Sequence, residues 1–223
     1  MEERYLRNVP AITAEEQSAL AGKRVTVLGC GGLGGALIEH LARLGVGEIT
    51  AVDPDRFDAT NLNRQILCTE ALLGQSKARA ALARCAQVNP DVRLLPVEAA
   101  FDAGSADALL RGRDLVLDAL DSVPARLLLE DACARLGLPI VHGAVQGWMA
   151  QVTVAMPGGG ALHRLYAGPG AAKGRSVLPF TAAFCAAVQA SEAAKLLCAR
   201  PASLCGRVLS ADLLRMDFAL LPL

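Results

Sequence analysis

Gly29-Cys-Gly-Gly-Leu-Gly34 forms a G-x-G-x-x-G turn between an apolar run and a helical pattern. Glycines there let backbone approach a phosphate, and the helix that follows aims N–H groups and positive potential at it. Gly29, Gly31, Gly32 and Gly34 are therefore candidate nucleotide contacts. Asp53 follows about twenty residues later, where a carboxylate can bind ribose hydroxyls. The turn by itself does not separate NAD from ATP. Downstream stand Asp55, Asn61, Arg64, Gln65 and Lys77, a set that hydride transfer does not require. Arg64 and Lys77 near the strand ends would neutralise a triphosphate and the charge it develops during reaction. Asp121, just past another apolar run, could hold Mg²⁺ against the phosphates. The plainer alternative makes Arg64 and Lys77 solvated charges and Asp121 a helix cap.

These residues need strands that end at one edge. Lys23–Leu28, Glu48–Asp53, Arg93–Glu98, Asp114–Leu120, Pro139–Val145 and Ala150–Met156 read as strands. Helical patterns over Leu37–Leu44, Gly74–Val88, Ala103–Leu110 and Pro124–Leu136 separate the first five of these strands. Thr13-Ala-Glu-Glu16 has the capping-box pattern of a short helix. Alternation of this kind predicts an α/β, Rossmann-like, mostly parallel sheet with helices on both faces. A loop from Pro157 to about Ser176, a helix over Pro179–Cys198 and two strands (Arg207–Leu213, Phe218–Leu221) complete the chain. We expect one domain over 1–223. Its parts are an N-terminal helical arm (1–22), a nucleotide-binding core (23–145), and a crossover loop, helix and C-terminal antiparallel strands (146–223).

Composition narrows the partners. The 22 basic and 22 acidic residues cancel, so nothing in the net charge calls for nucleic acid or an anionic membrane. No apolar run reaches the roughly 18 residues of a membrane span, and the charged start Met1-Glu-Glu-Arg4 does not resemble a signal peptide; the cytoplasm is the expected location. Seven cysteines include no Cys-x-x-Cys. Buried reduced thiols are expected, and a zinc site is not.

The chain resembles the HesA/MoeB/ThiF superfamily, bacterial relatives of ubiquitin-activating enzymes. The matching pieces are Gly29–Gly34, Gly45-Val-Gly47, Val52-Asp-Pro-Asp55, Asn61-Leu-Asn-Arg-Gln65, Gly74-Gln-Ser-Lys77, Asn89-Pro90, Leu117-Asp-Ala-Leu-Asp121 and Gln189-Ala-Ser-Glu192. The resemblance implies an adenylyltransferase that binds MgATP and a ubiquitin-like sulfur carrier protein ending in Gly-Gly, of the MoaD or ThiS type. It implies that Asp53 holds ribose, that Asn61, Arg64 and Lys77 hold phosphates, and that Asp121 sits at the metal or reacting phosphate. Family homodimers reach an N-terminal arginine into the partner's site, and Arg7 matches that position best.

Departures are specific. Where many relatives place their first zinc-binding cysteine pair, this chain has His163-Arg-Leu-Tyr166, and no pair follows Cys205. No cysteine lies between Pro157 and Gly174, and Cys185 reads as core, so adenylation without a covalent enzyme–carrier intermediate is expected. Asp121-Ser122 replaces the family's Asp-Asn. His142 reads as a satisfied structural histidine near the carrier's tail. Trp148 and the last strands are candidates for the carrier-docking surface. Molybdopterin or thiamine biosynthesis is the expected setting. The alternatives are adenylation of a non-protein carboxylate, such as one on a modified tRNA base, an NAD-dependent oxidoreductase, and a binding module without turnover.

Overall fold

The computed structural model describes residues 2–168 and 176–223. Eight strands form one sheet: β1 (Arg24–Leu28), β2 (Glu48–Val52), β3 (Arg93–Val97), β4 (Leu115–Asp118), β5 (Ile140–Gln146), β6 (Met149–Ala155), β7 (Arg207–Asp212) and β8 (Asp217–Pro222). Their order is β3-β2-β1-β4-β5-β6-β7-β8. The first five run parallel, and β5–β6, β6–β7 and β7–β8 pair antiparallel. The expected sheet and its antiparallel C-terminal part are both present.

Helices α1 (Ala14–Leu20), α2 (Gly32–Leu44), α3 (Lys77–Val88), α4 (Ala106–Leu110), α5 (Val123–Leu136), α6 (Ala161–Leu165) and α7 (Pro179–Leu197) cover the sheet. Alternation along the strands decides which side chain meets which layer. Val25, Val27, Leu115 and Leu117 join the core that includes residues of α2, α3 and α7. Leu28 and Val116 join the second core, which holds residues of α4, α5 and α6. Strands buried on both faces must be apolar at nearly every position, which explains their unbroken Val/Leu runs. Thr26, polar and fully buried, donates its hydroxyl to the Leu109 carbonyl at 2.9 Å.

Local chemistry sets the helix ends. Thr13 and Glu16 form the reciprocal capping box that starts α1. Gly45 ends α2 and Gly137 ends α5, both in the left-handed conformation that a Cβ disfavours. The pattern over Gly74–Val88 becomes helical only at Lys77, because the Ser76 side chain caps α3 there. The expected loop after Pro157 instead contains α6; its remainder falls partly on residues 169–175, outside the described residues. No described helix is long and apolar enough to cross a membrane.

Candidate functional site

The strand order reverses direction between β1 and β4, and ligands of such sheets bind outside the carboxyl ends of strands at that point. A cleft of about 690 Å³ opens there, within the range of small-molecule sites. Gly29, Gly31, Gly32, Asp53, Asp55, Asn61, Arg64, Gln65, Lys77 and Asp121 all line it. Residues spread over nearly a hundred positions thus meet because each follows a strand end or caps a helix at one edge.

The glycines divide the labour. Gly29 has φ +93°, and a Cβ there would lie 2.6 Å from the Ala119 carbonyl oxygen, where β1 and β4 meet. Gly31 is the N-cap of α2 and offers no side-chain acceptor, so the helix's first N–H groups are left for a ligand. Gly34 does not line the cleft. A Cβ on it would stand 1.7 Å from the Gly29 carbonyl oxygen, so it serves close packing of α2 on the turn rather than nucleotide contact.

Asp53 is 5% exposed. Its two oxygens accept from the N–H groups of Cys30 at 2.7 Å and Asp55 at 2.8 Å, which orient the carboxylate. Burial raises its pKa, while those two N–H groups and Lys77 act to lower it. The loop after Asp53 folds back on itself. Phe57 pairs with Gln75 and Gly74, and the Lys77 N–H donates to the Asp55 carbonyl at 3.1 Å. Lys77, only 7% exposed, thereby sets its Nζ 3.0 Å from the Asp55 carboxylate.

Arg64 donates to the Thr60 carbonyl at 2.9 Å and to Asn63 Oδ1 at 2.8 Å. It has no ion-pair partner among the described residues, so its charge is free for an anion. Asn61 lines the cleft and also shapes its wall. Its side chain completes a capping box with Asp58 around a short 3-10 turn (Ala59–Asn61), which commits it to shaping the loop that carries Arg64. Gln65 lies beside Gly31, buried, with Oε1 unpartnered among the described residues.

Asp121 is exposed, and Ser122 rather than Asp121 caps α5, accepting from Ala125 N–H. The aspartate is therefore not committed as a cap. One free carboxylate suits Mg²⁺, which keeps most of its coordination for water and substrate phosphates. Among the described residues no group of three or more His, Cys, Asp and Glu gathers into a metal cluster. Arg7 is exposed and does not line this chain's cleft.

Behind the cleft lies a buried polar network of which the sequence reading singled out only His142. The His142 ring accepts or donates at both nitrogens: Nδ1 lies 2.7 Å from Asp118 Oδ2 and Nε2 lies 3.0 Å from the Tyr166 hydroxyl. That hydroxyl accepts from Arg126 Nη1 at 2.8 Å and Gln151 Nε2 at 2.9 Å. With both lone pairs occupied, it must donate its proton to His142, so Nε2 accepts and Nδ1–H donates to Asp118. His142 is thus the satisfied structural histidine expected. Burial, first of all, raises the Tyr166 pKa. Two polar residues inside apolar runs, Asp118 and His142, were the available signs of this network.

Carboxylates on α5 hold α6 in place. Glu130, 5% exposed, accepts from the N–H groups of Leu162 at 2.9 Å and His163 at 2.8 Å. His163 Nε2 lies 2.8 Å from Asp131 Oδ1. The start of α6 is thereby fixed through hydrogen bonds. Cys185 is fully buried in α7, and burial pushes its thiol up to about 12.

The pattern of the ThiF family matches residues 4–223. This chain belongs to the ThiF family. It is 37% identical over 231 residues to the SAMP-activating enzyme E1 of Haloferax volcanii, covering 99% of this chain and 84% of that protein. It is 37% identical over 224 residues to the Bos taurus adenylyltransferase and sulfurtransferase MOCS3, covering 96% of this chain but 49% of that one. Against the Salmonella typhimurium molybdopterin-synthase adenylyltransferase the figures are 40% over 140 residues, 63% of this chain and 56% of that protein. The fold matches a crystal structure of E. coli MccB with ATP at a TM-score of 0.84 and 21% identity, over 100% of this chain and 72% of that one. Family membership and these relatives support the class of ATP-dependent adenylyltransferases.

Proposed function

We propose that this ThiF-family protein adenylates the C-terminal carboxylate of a ubiquitin-like sulfur carrier protein ending in Gly-Gly. The observation that carries the reading is the convergence of Arg64, Lys77 and Asp121 on one cleft around a glycine turn and a ribose-type aspartate. A dinucleotide oxidoreductase has no use for that cationic pair, and the named relatives are adenylyltransferases or an activating enzyme. In the reaction the carboxylate oxygen bonds to the α-phosphorus of ATP, the Pα–O–Pβ bond breaks, and pyrophosphate leaves with the bonding electrons. Asp53 takes the ribose hydroxyls, the amides at Gly31 and Gly32 and the cations of Arg64 and Lys77 take the phosphates, and Asp121 holds Mg²⁺. The metal, when bound, offsets phosphate charge. Catalysis is then positioning and charge stabilisation, without a protein nucleophile.

The protein acts as a homodimer in this reading, with Arg7 reaching the partner's cleft. The carrier docks on the face that bears Trp148, which packs on Phe180 at 4.8 Å between ring centroids, and on β8, whose Phe218, Leu220 and Leu221 are exposed. The Salmonella relative favours a molybdopterin-type carrier over a thiamine-type one.

ATP–pyrophosphate exchange with Mg²⁺, run with and without Gly-Gly-ended carriers from the same organism, tests the proposal. Exchange that depends on one carrier is expected. ATP binding without exchange, whichever carrier is supplied, would overturn it.

A further inference from the structure

The cations of the cleft are not gathered in one place. Arg64 and Lys77 belong to the loop and helix that follow β2, while Arg126 enters from α5, on the β4 side, close in sequence to Asp121. Arg126 is 8% exposed and lines the cleft. Its Nη2 donates to the Leu120 carbonyl at 2.6 Å and its Nη1 to the Tyr166 hydroxyl at 2.8 Å. The guanidinium carbon lies 5.4 Å from the centroid of the Tyr166 ring. An arginine carries five N–H donors, so three remain after these bonds. One of them, on Nε, is buried and without a hydrogen-bond partner among the described residues. Its nearest carboxylate oxygen, Asp118 Oδ2, is 4.0 Å away and already serves His142.

A buried guanidinium with spare donors and a half-shared counter-charge is incomplete by itself. Adenylation brings a carboxylate and a triphosphate together, and their like charges repel. The proposed function assigns Arg64 and Lys77 to the phosphates, joined by Arg7 across the dimer, which leaves Arg126, in the lining of the same cleft, for the second anion. A guanidinium fork matches a carboxylate in shape as well as charge.

We infer that Arg126 binds the incoming terminal carboxylate beside the α-phosphate, and that Tyr166 is the positioning residue that holds it there. The assignment rests on the adenylation reading. Tyr166 can do this because its own hydroxyl is pinned by Gln151 and His142, and His142 by Asp118. The network therefore delivers a pre-oriented cation to the cleft instead of a mobile one.

The test compares wild type with Arg126→Gln, Arg126→Lys and Tyr166→Phe. Three quantities are measured: ATP affinity by calorimetry, exchange kinetics with the carrier that supports wild-type exchange, and inhibition by that carrier with its terminus converted to the amide. Wild type should prefer the carboxylate over the amide. Arg126→Gln should raise the carrier KM or lower kcat roughly 10- to 100-fold, erase the acid-over-amide preference, and leave ATP affinity within about threefold. Arg126→Lys should recover part of the preference, since charge remains while the fork is lost. Tyr166→Phe keeps the ring and should lower kcat severalfold with the KM for ATP unchanged.

Three results overturn the inference: an intact acid-over-amide preference in Arg126→Gln, a loss of ATP affinity that matches its loss of exchange, or a Tyr166→Phe enzyme equal to wild type. If Arg126→Gln does not fold, Arg126→Lys and Tyr166→Phe decide by the same readouts. Absence of exchange in wild type with every carrier sinks the adenylation reading itself, a failure distinct from loss of preference in a variant.

Discussion

Lys77 Nζ rests 3.0 Å from the carboxylate of Asp55, yet Lys77 is 7% exposed while the Asp55 side chain is 65% exposed. The pair is asymmetric: a cation held in the wall of the cleft, and an anion at its rim that phosphates can displace. Lys77→Met should lower adenylation by about 100-fold or more, as loss of a preorganised charge does. ATP–pyrophosphate exchange checks this, and activity within threefold of wild type would remove Lys77 from the phosphate site.

Arg64 stands outside the core and forms no described ion pair. Arg64→Ala should therefore leave the melting temperature within about 2 °C, because surface substitutions rarely exceed half a kcal/mol. Exchange activity should fall by a factor similar to that for Lys77. Thermal unfolding beside the activity assay separates the two effects. A protein that loses stability and activity together would place Arg64 in the fold and not in the chemistry.

Glu130 supplies both oxygens to backbone N–H groups of α6 in a buried setting. Glu130→Ala would strand two donors, at a cost of about 3 kcal/mol. For a chain of this size that lowers the melting temperature by roughly 6–12 °C. Differential scanning calorimetry reads the shift. An unchanged midpoint would mean that α6 does not depend on this contact.

Glu39 on α2 gives a pH signature. Hydrogen bonds from Arg84 first, and then from Arg43, lower its pKa from an ordinary 4.5 to about 2. A depressed acid contributes stability above its unfolded value and loses it as pH falls from about 4.5 through about 2. The partner arginines are half in solvent, so screening keeps the gain on the order of 1 kcal/mol. Urea unfolding should show Glu39→Gln less stable than wild type at pH 7, with the gap closing near pH 2. A gap that stays constant with pH would exclude ionisation as its cause.

The cysteines differ in access and acidity. Burial pushes the thiols of Cys133 and Cys185 up to about 12, whereas Cys205 is exposed. Iodoacetamide at pH 8 should label Cys205 and spare both buried thiols, as mapped by peptide mass spectrometry. Rapid labelling of Cys185 in the folded protein would contradict its placement in the core and reopen a covalent role.

Much of this was legible from the chain because it depends on local rules. The glycine turn, Asp53 at the end of its strand, the capping box at Thr13 and the α2 stop at Gly45 follow from backbone sterics and short-range hydrogen bonds, which residue types announce. Continuous apolar strands separated by helices imply a parallel sheet without further information. The motifs that carry Arg64, Lys77 and Asp121 were legible too, and all three residues line the one cleft. What the tertiary structure alone decided are roles that depend on contacts across distant segments. Gly34 looks like a phosphate glycine, but a Cβ there would meet the Gly29 carbonyl; Asn61, in the cleft lining, also closes a turn with Asp58. Asp118, Arg126, His142 and Tyr166 carry no shared spacing. They become one network only because β4, β5, α5 and the segment around α6 stack there, and in a buried layer every polar group must find its partner from whichever element the fold brings within 3 Å.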